Sequence, residues 1–268
     1  MALKDITLGQ YFPGNSLIHR FDPRAKILFT VLFIATIFLC KGLVSYGLTL
    51  AVLLVLVALS RVQPRVFLKG MKPVIFIVVC TAVLNLFYTS GTVLWQAGFL
   101  KITEEGIWKA CYMVLRILML IACTLLLTYT TSPILLTDGL ERLLRPLKKV
   151  GFPVHELSML MSIALRFIPT LIQETDKIIS AQKARGADFD TGNLLQKAKA
   201  LIPILIPLFI SSFRRAEELA VAMECRCYHG DEGRTSLRQL TMAGRDWGLL
   251  LFSLALCAGV ITLRCFGL

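Results

Sequence analysis

"AKILFTVLFIATIFLC" runs from Ala25 to Cys40, Lys41 and Gly42 follow, and "LVSYGLTLAVLLVLVALS" continues from Leu43 to Ser60. Lys26 and Lys41 are the only charges in this passage. A helix rises 1.5 Å per residue, so each run comes close to crossing a hydrocarbon core about 30 Å thick. A small deficit in length is met by local thinning of the bilayer. Two apolar runs with a two-residue link therefore predict a helical hairpin buried in membrane.

Working outward, three further runs have the same character. Pro73 to Leu100 carries no charge, and its helical part is expected to end near Tyr88. Ala110 to Thr130 is interrupted only by Arg116, and "WGLLLFSLALCAGVITL" spans Trp247 to Leu263. The bulk numbers agree: of 268 residues, 56% are hydrophobic and 17% charged, with a mean hydropathy of +0.71. A soluble domain would be about one quarter charged. The predicted class is all-α, a polytopic membrane protein with about five transmembrane helices.

The net charge of +12 is explained by the positive-inside rule, which gathers Lys and Arg in cytoplasmic segments. No aromatic-interleaved basic module accompanies it, so nucleic acid is not an expected partner. Six of the eight cysteines lie in or beside apolar runs, where cysteine acts as a small hydrophobe, and a reduced chain is expected. The first 24 residues are polar, with Asp5, Arg20 and Asp22, and no small-residue cleavage site follows the first apolar run. No cleaved signal is therefore expected.

Loop charges orient the spans. Lys4, Arg20, Arg24 and Lys26 precede or open the first span, and Arg61, Arg65, Lys69 and Lys72 join the second to the third. The opposite side offers Lys41, then Lys101 and Lys109 against Glu104 and Glu105. A cytoplasmic amino terminus and an external carboxyl terminus follow. The expected organisation is a membrane domain over 1–130 with spans one to four, a cytoplasmic region over 131–246, and a last transmembrane helix over 247–268.

The cytoplasmic insert reads as long amphipathic helices. From Val154 to Arg185, Leu157, Leu160, Met161, Ala164, Leu165, Ile168 and Leu171 recur at helical spacing, with Glu156, Arg166, Glu174, Asp176 and Lys177 mostly on other faces. Pro169 is expected to kink this helix. "ALIPILIPLFISSF", Ala200 to Phe213, has prolines four apart and reads as a twice-broken, buried or interfacial segment before the helix resumes. Each pattern ends alike. Arg185 falls in a last turn with Gly186 as the stop, and Arg226 falls near a second end with Gly230 available as the stop. Two guanidinium forks on one platform suit two carboxylate-lined grooves on a pair of similar partner subunits.

Other chemistry finds little support. In "CRCYH", Cys227 would point about 200° around a helix from Cys225, and a fourth ligand is missing nearby, so no metal is expected. No phosphate-binding loop, His-Glu-x-x-His or nucleophile elbow is present, and ionisable groups within the spans are sparse. An integral-membrane enzyme or a stand-alone transporter or channel remains the alternative class; no inverted repeat is evident.

Over nearly its whole length the chain resembles the EcfT family, the transmembrane (T) components of energy-coupling factor transporters, which are ATP-driven vitamin and metal importers. The resemblance rests on "GQYFPGNSLIHRFDPRAK" (Gly9 to Lys26), "ITEEGIWKACYMVLRI" (Ile102 to Ile117), "ALRFIPTLIQE" and both arginine motifs. It implies coupling helices that end in Ala-Arg-Gly-type motifs and dock into grooves of two ATPase subunits of EcfA and EcfA-prime type. Matched by position, these motifs are Ala184, Arg185 and Gly186, then Cys225, Arg226 and Cys227. The second departs from the pattern, with cysteines where alanine and glycine are typical. The resemblance further implies a non-catalytic subunit of the bacterial plasma membrane, without a cofactor of its own because the ATPase subunits bind ATP. Its remaining partners would be one or more substrate-binding S components and the lipid bilayer.

Overall fold

The computed structural model describes residues 11–97, 100–187, 189, 194–230 and 240–266. Lys4, Asp5, Gly9 and Gln10 of the segments read above, and the final residues 267 and 268, lie outside the described residues. The described residues divide into two compact units, one within 11–142 and 240–266, the other within 143–230.

The first unit begins with α1 (Pro23–Leu39) and α2 (Leu43–Ser60), the predicted hairpin. Next come α3 (Pro64–Met71), α4 (Ile75–Tyr88), α5 (Glu104–Thr130) and α6 (Pro133–Leu144). The unit closes with α9 (Gly244–Cys265), which returns to pack along α1. Helix α4 ends at Tyr88, where the sequence placed its end. Between α4 and α5 stands an antiparallel hairpin, β1 (Val93–Ala97) with β2 (Leu100–Thr103), in the register Trp95 to Ile102 and Ala97 to Leu100. Thr103 then caps α5, its hydroxyl accepting from the Gly106 N–H at 3.1 Å.

This unit is polar inside and apolar outside relative to a soluble bundle. On α2, Ser45, Tyr46 and Thr49 are buried while Leu48, Leu54 and Val55 are exposed. On α1, Thr30 and Thr36 are buried while Val31 and Phe38 are exposed. The buried threonine hydroxyls are satisfied within their own helices: Thr30 donates to the Lys26 carbonyl and Thr36 to that of Leu32, each at 2.8 Å, and Thr49 to that of Ser45 at 2.9 Å. Exposed Leu and Val on such helices find their solvent in lipid, while small polar residues let helices approach closely. Phe29, Phe33, Ile37, Leu53, Met119 and Val260 fill the main core.

The "DPRAK" segment acts as a latch between elements far apart in sequence. Asp22 accepts from the Arg24 N–H and caps α1, with Pro23 at the first helical position. The backbone N–H of Asp22 donates to Asp246 Oδ1 at 2.9 Å, and the Ala243 N–H donates to Asp246 Oδ2 at 2.8 Å. Lys26 Nζ donates to the Thr130 carbonyl at 2.9 Å, tying α1 to the end of α5. Arg24 and Arg142 both donate to the Leu240 carbonyl. Lys26 is therefore a buried structural cation rather than the loop charge it resembles in sequence.

The second unit holds α7 (Val154–Ala184) and α8 (Leu194–Glu224), each 31 residues long. The expected double break in α8 is corrected: the helix runs unbroken through Pro203 and Pro207. A proline lacks the N–H that the carbonyl four residues earlier requires, so Pro207 leaves the Pro203 carbonyl without its helical partner. The side-chain amide of Gln182, on α7, donates to that carbonyl at 3.3 Å. An ion pair between Arg215 and Glu174, 3.4 Å apart, joins the same two helices. Pro169 lies within α7, which also continues past it.

Among the described residues, five helical segments are long and apolar enough to cross a membrane: Leu43–Ser60, Pro64–Tyr88, Glu104–Thr130, Val154–Ala184 and Gly244–Cys265. The number agrees with the expectation, but its membership differs. Helix α1 has 17 residues and falls just short, while α7 meets the criterion on length and composition.

Candidate functional site

The two arginine-bearing helix ends close with the same pair of crossed backbone hydrogen bonds. At the end of α7, Arg185 is the cap residue and Gly186 follows with φ +87°. The Gly186 N–H donates to the Lys183 carbonyl and the Ala187 N–H to the Gln182 carbonyl, both at 3.0 Å. That pair of crossed bonds is a Schellman motif, which satisfies carbonyls the helix would otherwise leave open.

At the end of α8 the same bonds recur. The Cys227 N–H donates to the Glu224 carbonyl at 2.9 Å and the Tyr228 N–H to the Met223 carbonyl at 3.1 Å. Arg226 thereby occupies the position of Arg185, and Cys225 that of Ala184. Cys227 occupies the position of Gly186, with φ +53°. The expected stop at Gly230 is corrected: the helix stops at Cys227, and Gly230, at φ +90°, lies beyond it in the outgoing chain. A non-glycine residue held left-handed is strained by about 1–2 kcal/mol. The His229 ring donates from Nδ1 to the Cys227 carbonyl at 2.8 Å, bracing the turn.

Ala184, Arg185, Gly186, Cys225, Arg226 and Cys227 are all exposed. The fixed element at each end is therefore the backbone, which aims an arginine outward from a rigid cap. Arg226 also borders a groove of about 630 Å³ between α7 and the end of α8. Arg166 shares this groove, and Met159, Ile163, Leu219 and Met223 supply apolar walls. The chemistry on offer is recognition: forked donors beside an apolar groove suit a carboxylate-bearing protein surface. Among the described residues, no three or more His, Cys, Asp or Glu side chains stand together as a metal-ligand set. Cys225 and Cys227 are free, exposed thiols.

Gln182 and Arg166 were not singled out in the sequence. Prolines four apart do signal that one carbonyl loses its partner, but not which side chain replaces it. Arg166 reads as one more helix-face charge until α8 lies beside it.

A family model described as cobalt transport protein, CbiQ, matches residues 14–237. The energy-coupling factor transporter transmembrane protein EcfT of Ruminiclostridium cellulolyticum is 56% identical over 244 residues, covering 91% of each chain. Its counterpart from Thermosediminibacter oceani is 50% identical over 262 residues, 98% of this chain and 99% of that one. The Bacillus subtilis protein of the same name is 47% identical over 263 residues, again 98% and 99% of the two chains. With likeness at this level running end to end, the chain belongs to the EcfT family, the transmembrane components of energy-coupling factor transporters.

Proposed function

We propose that this chain is the non-catalytic scaffold of an ATP-driven vitamin or micronutrient importer, and that it couples hydrolysis in two ATPase subunits to reorientation of a substrate-binding S component. The observation that carries this reading is the repeated cap, two arginines on the same Schellman turn within one helical unit. Two equivalent plugs suit two equivalent sockets, one in each subunit of an ATPase pair. Ala184, Arg185 and Gly186 engage one subunit; Cys225, Arg226 and Cys227 engage the other. ATP is held by those subunits and not by this chain.

In this reading the amino terminus and the unit around α7 and α8 face the cytoplasm, and the carboxyl terminus lies outside. Arg166, Glu174, Asp176 and Lys177 on α7, together with its ion pair to α8, favour a surface platform over a lipid-exposed span. When the ATPase pair opens and closes, rigid helix ends seated in both grooves are moved apart and together. The movement does work on the S component only if its two orientations bind the assembly with different affinity in the two nucleotide states.

Charge reversal is the test. Arg185→Glu and Arg226→Glu are each expected to weaken co-purification with the ATPase subunits or to uncouple hydrolysis from uptake, and the double variant to do so more strongly. Uptake at the wild-type rate by the double variant would refute the assignment.

A further inference from the structure

A second basic site lies in the other unit, where the α1–α2 link, the end of α4 and the first turns of α5 meet. It is a cavity of about 310 Å³ lined by Lys41, Lys109 and Arg116 with Tyr46, Tyr112 and Asn85, and no carboxylate is among its lining residues. Glu105, one turn before Lys109, is not among them: it lies within reach of the Lys109 charge but accepts from the Thr92 N–H at 2.8 Å and from the Thr92 hydroxyl at 3.2 Å.

Arg116 is held in place from one side. Its Nε and Nη2 donate to the hydroxyl of the buried Tyr46 at 2.9 and 2.6 Å, and Nη2 reaches the Cys40 carbonyl at 3.4 Å. The rings of Phe38 and Tyr46 lie 5.9 and 5.8 Å from the guanidinium carbon. Its Nη1 meets only the Met113 sulfur, 4.0 Å away and a weak acceptor, so among the described residues it has no oxygen partner. Lys41 and Lys109 add two exposed ammonium groups to the same concavity. Three cations in a cavity that no carboxylate lines among the described residues raise its affinity for a multivalent anion.

The surroundings indicate which anion. Tyr46 stacks on Tyr112 with ring centroids 5.1 Å apart, and Trp108 stacks on Tyr112 at 5.8 Å. Stacked Tyr and Trp at the end of membrane spans mark headgroup depth. Beside the cations, Phe38, Leu43 and Val44 are each half or more exposed, an apolar surface that a soluble anion would leave bare. We propose that Lys41, Lys109 and Arg116 form a phosphate site that holds the headgroup of an anionic phospholipid, whose acyl chains lie along Phe38, Leu43 and Val44.

The test uses the full chain in detergent micelles, with bound lipid counted by native mass spectrometry. Phosphatidylglycerol, phosphatidylcholine and inorganic phosphate are titrated separately, on the wild type and on Lys41→Gln, Lys109→Gln and the double variant. Both lysines are exposed and outside the core, and circular dichroism verifies that the variants fold. Each substitution is expected to weaken phosphatidylglycerol binding about fivefold and the pair about 30-fold, as expected for cations near an anionic headgroup. Phosphatidylcholine binding should be weaker and the same for every variant. Equal affinity of wild type and double variant for phosphatidylglycerol would overturn the proposal, as would equal affinity for the two lipids. Displacement of phosphatidylglycerol by millimolar inorganic phosphate would reassign the site to a free anion and overturn the lipid assignment.

Discussion

Replacing Cys227 with glycine should tighten the end of α8, although it deletes a side chain at the candidate site. Cys227 sits at φ +53°, where an L-residue is strained by about 1–2 kcal/mol. Glycine removes that strain but returns roughly 0.5–1 kcal/mol through its greater freedom in the open state. The net gain is about 0.5–1 kcal/mol, or a two- to fivefold drop in local opening. It should appear as slower hydrogen exchange at the Cys227 and Tyr228 amides, which donate to Glu224 and Met223. Gly186→Ala is the mirror experiment. A Cβ there meets nothing within 4 Å, so only the backbone term at φ +87° acts. The Ala187 amide, which donates to Gln182, should then exchange about two- to fivefold faster. Unchanged or faster exchange in Cys227→Gly would refute the reasoning. It would mean that the contact between His229 and the Cys227 carbonyl, rather than the helix stop itself, imposes the left-handed turn.

Other expectations rest on separate parts of the structure. Asp246→Ala leaves the Asp22 and Ala243 N–H groups without acceptors and removes a carboxylate close to buried Lys26; it should cost about 3–5 kcal/mol in denaturant unfolding, and a loss under 1 kcal/mol would contradict the latch. Gly106→Ala places a Cβ 2.9 Å from the Leu86 backbone carbonyl, forcing α4 from α5 at a cost of about 1–3 kcal/mol, read by thermal unfolding. Burial holds the His19 imidazole below its ordinary pKa, aided by the Lys26 charge and opposed by the Phe12 carbonyl that accepts from its ring. Because the folded value is the lower one, its contribution to stability is complete above about pH 6.5 and is lost as pH falls toward the folded value. Exchange of the amide that Phe12 donates to the Tyr129 carbonyl should therefore rise below pH 6.5 beyond its intrinsic trend, and His19→Gln should abolish the excess.

The helices and their membrane setting were legible because they depend on local order. Uncharged runs near twenty residues admit few structures in lipid. Both arginine motifs could be read for the same reason, since a cap is a matter of one turn. Which residue stops the second helix could not. The rule that a helix stops at glycine favours Gly230, but the Schellman bonds close three residues earlier, and local strain at Cys227 is carried by the bonds from Cys227 and Tyr228. Nor could the fate of the prolines, since an orphaned carbonyl at Pro203 breaks a lone helix but is satisfied once Gln182 lies opposite. Lys26 reads as a loop cation in sequence and becomes structural only when Thr130, more than a hundred residues later, presents its carbonyl. By itself, then, the sequence determined helices, their apolar faces and two arginine-tipped ends, because these arise from neighbours along the chain. Tertiary structure alone decided how stranded polar groups are satisfied, because their partners are distant in sequence and meet them only when the helices pack.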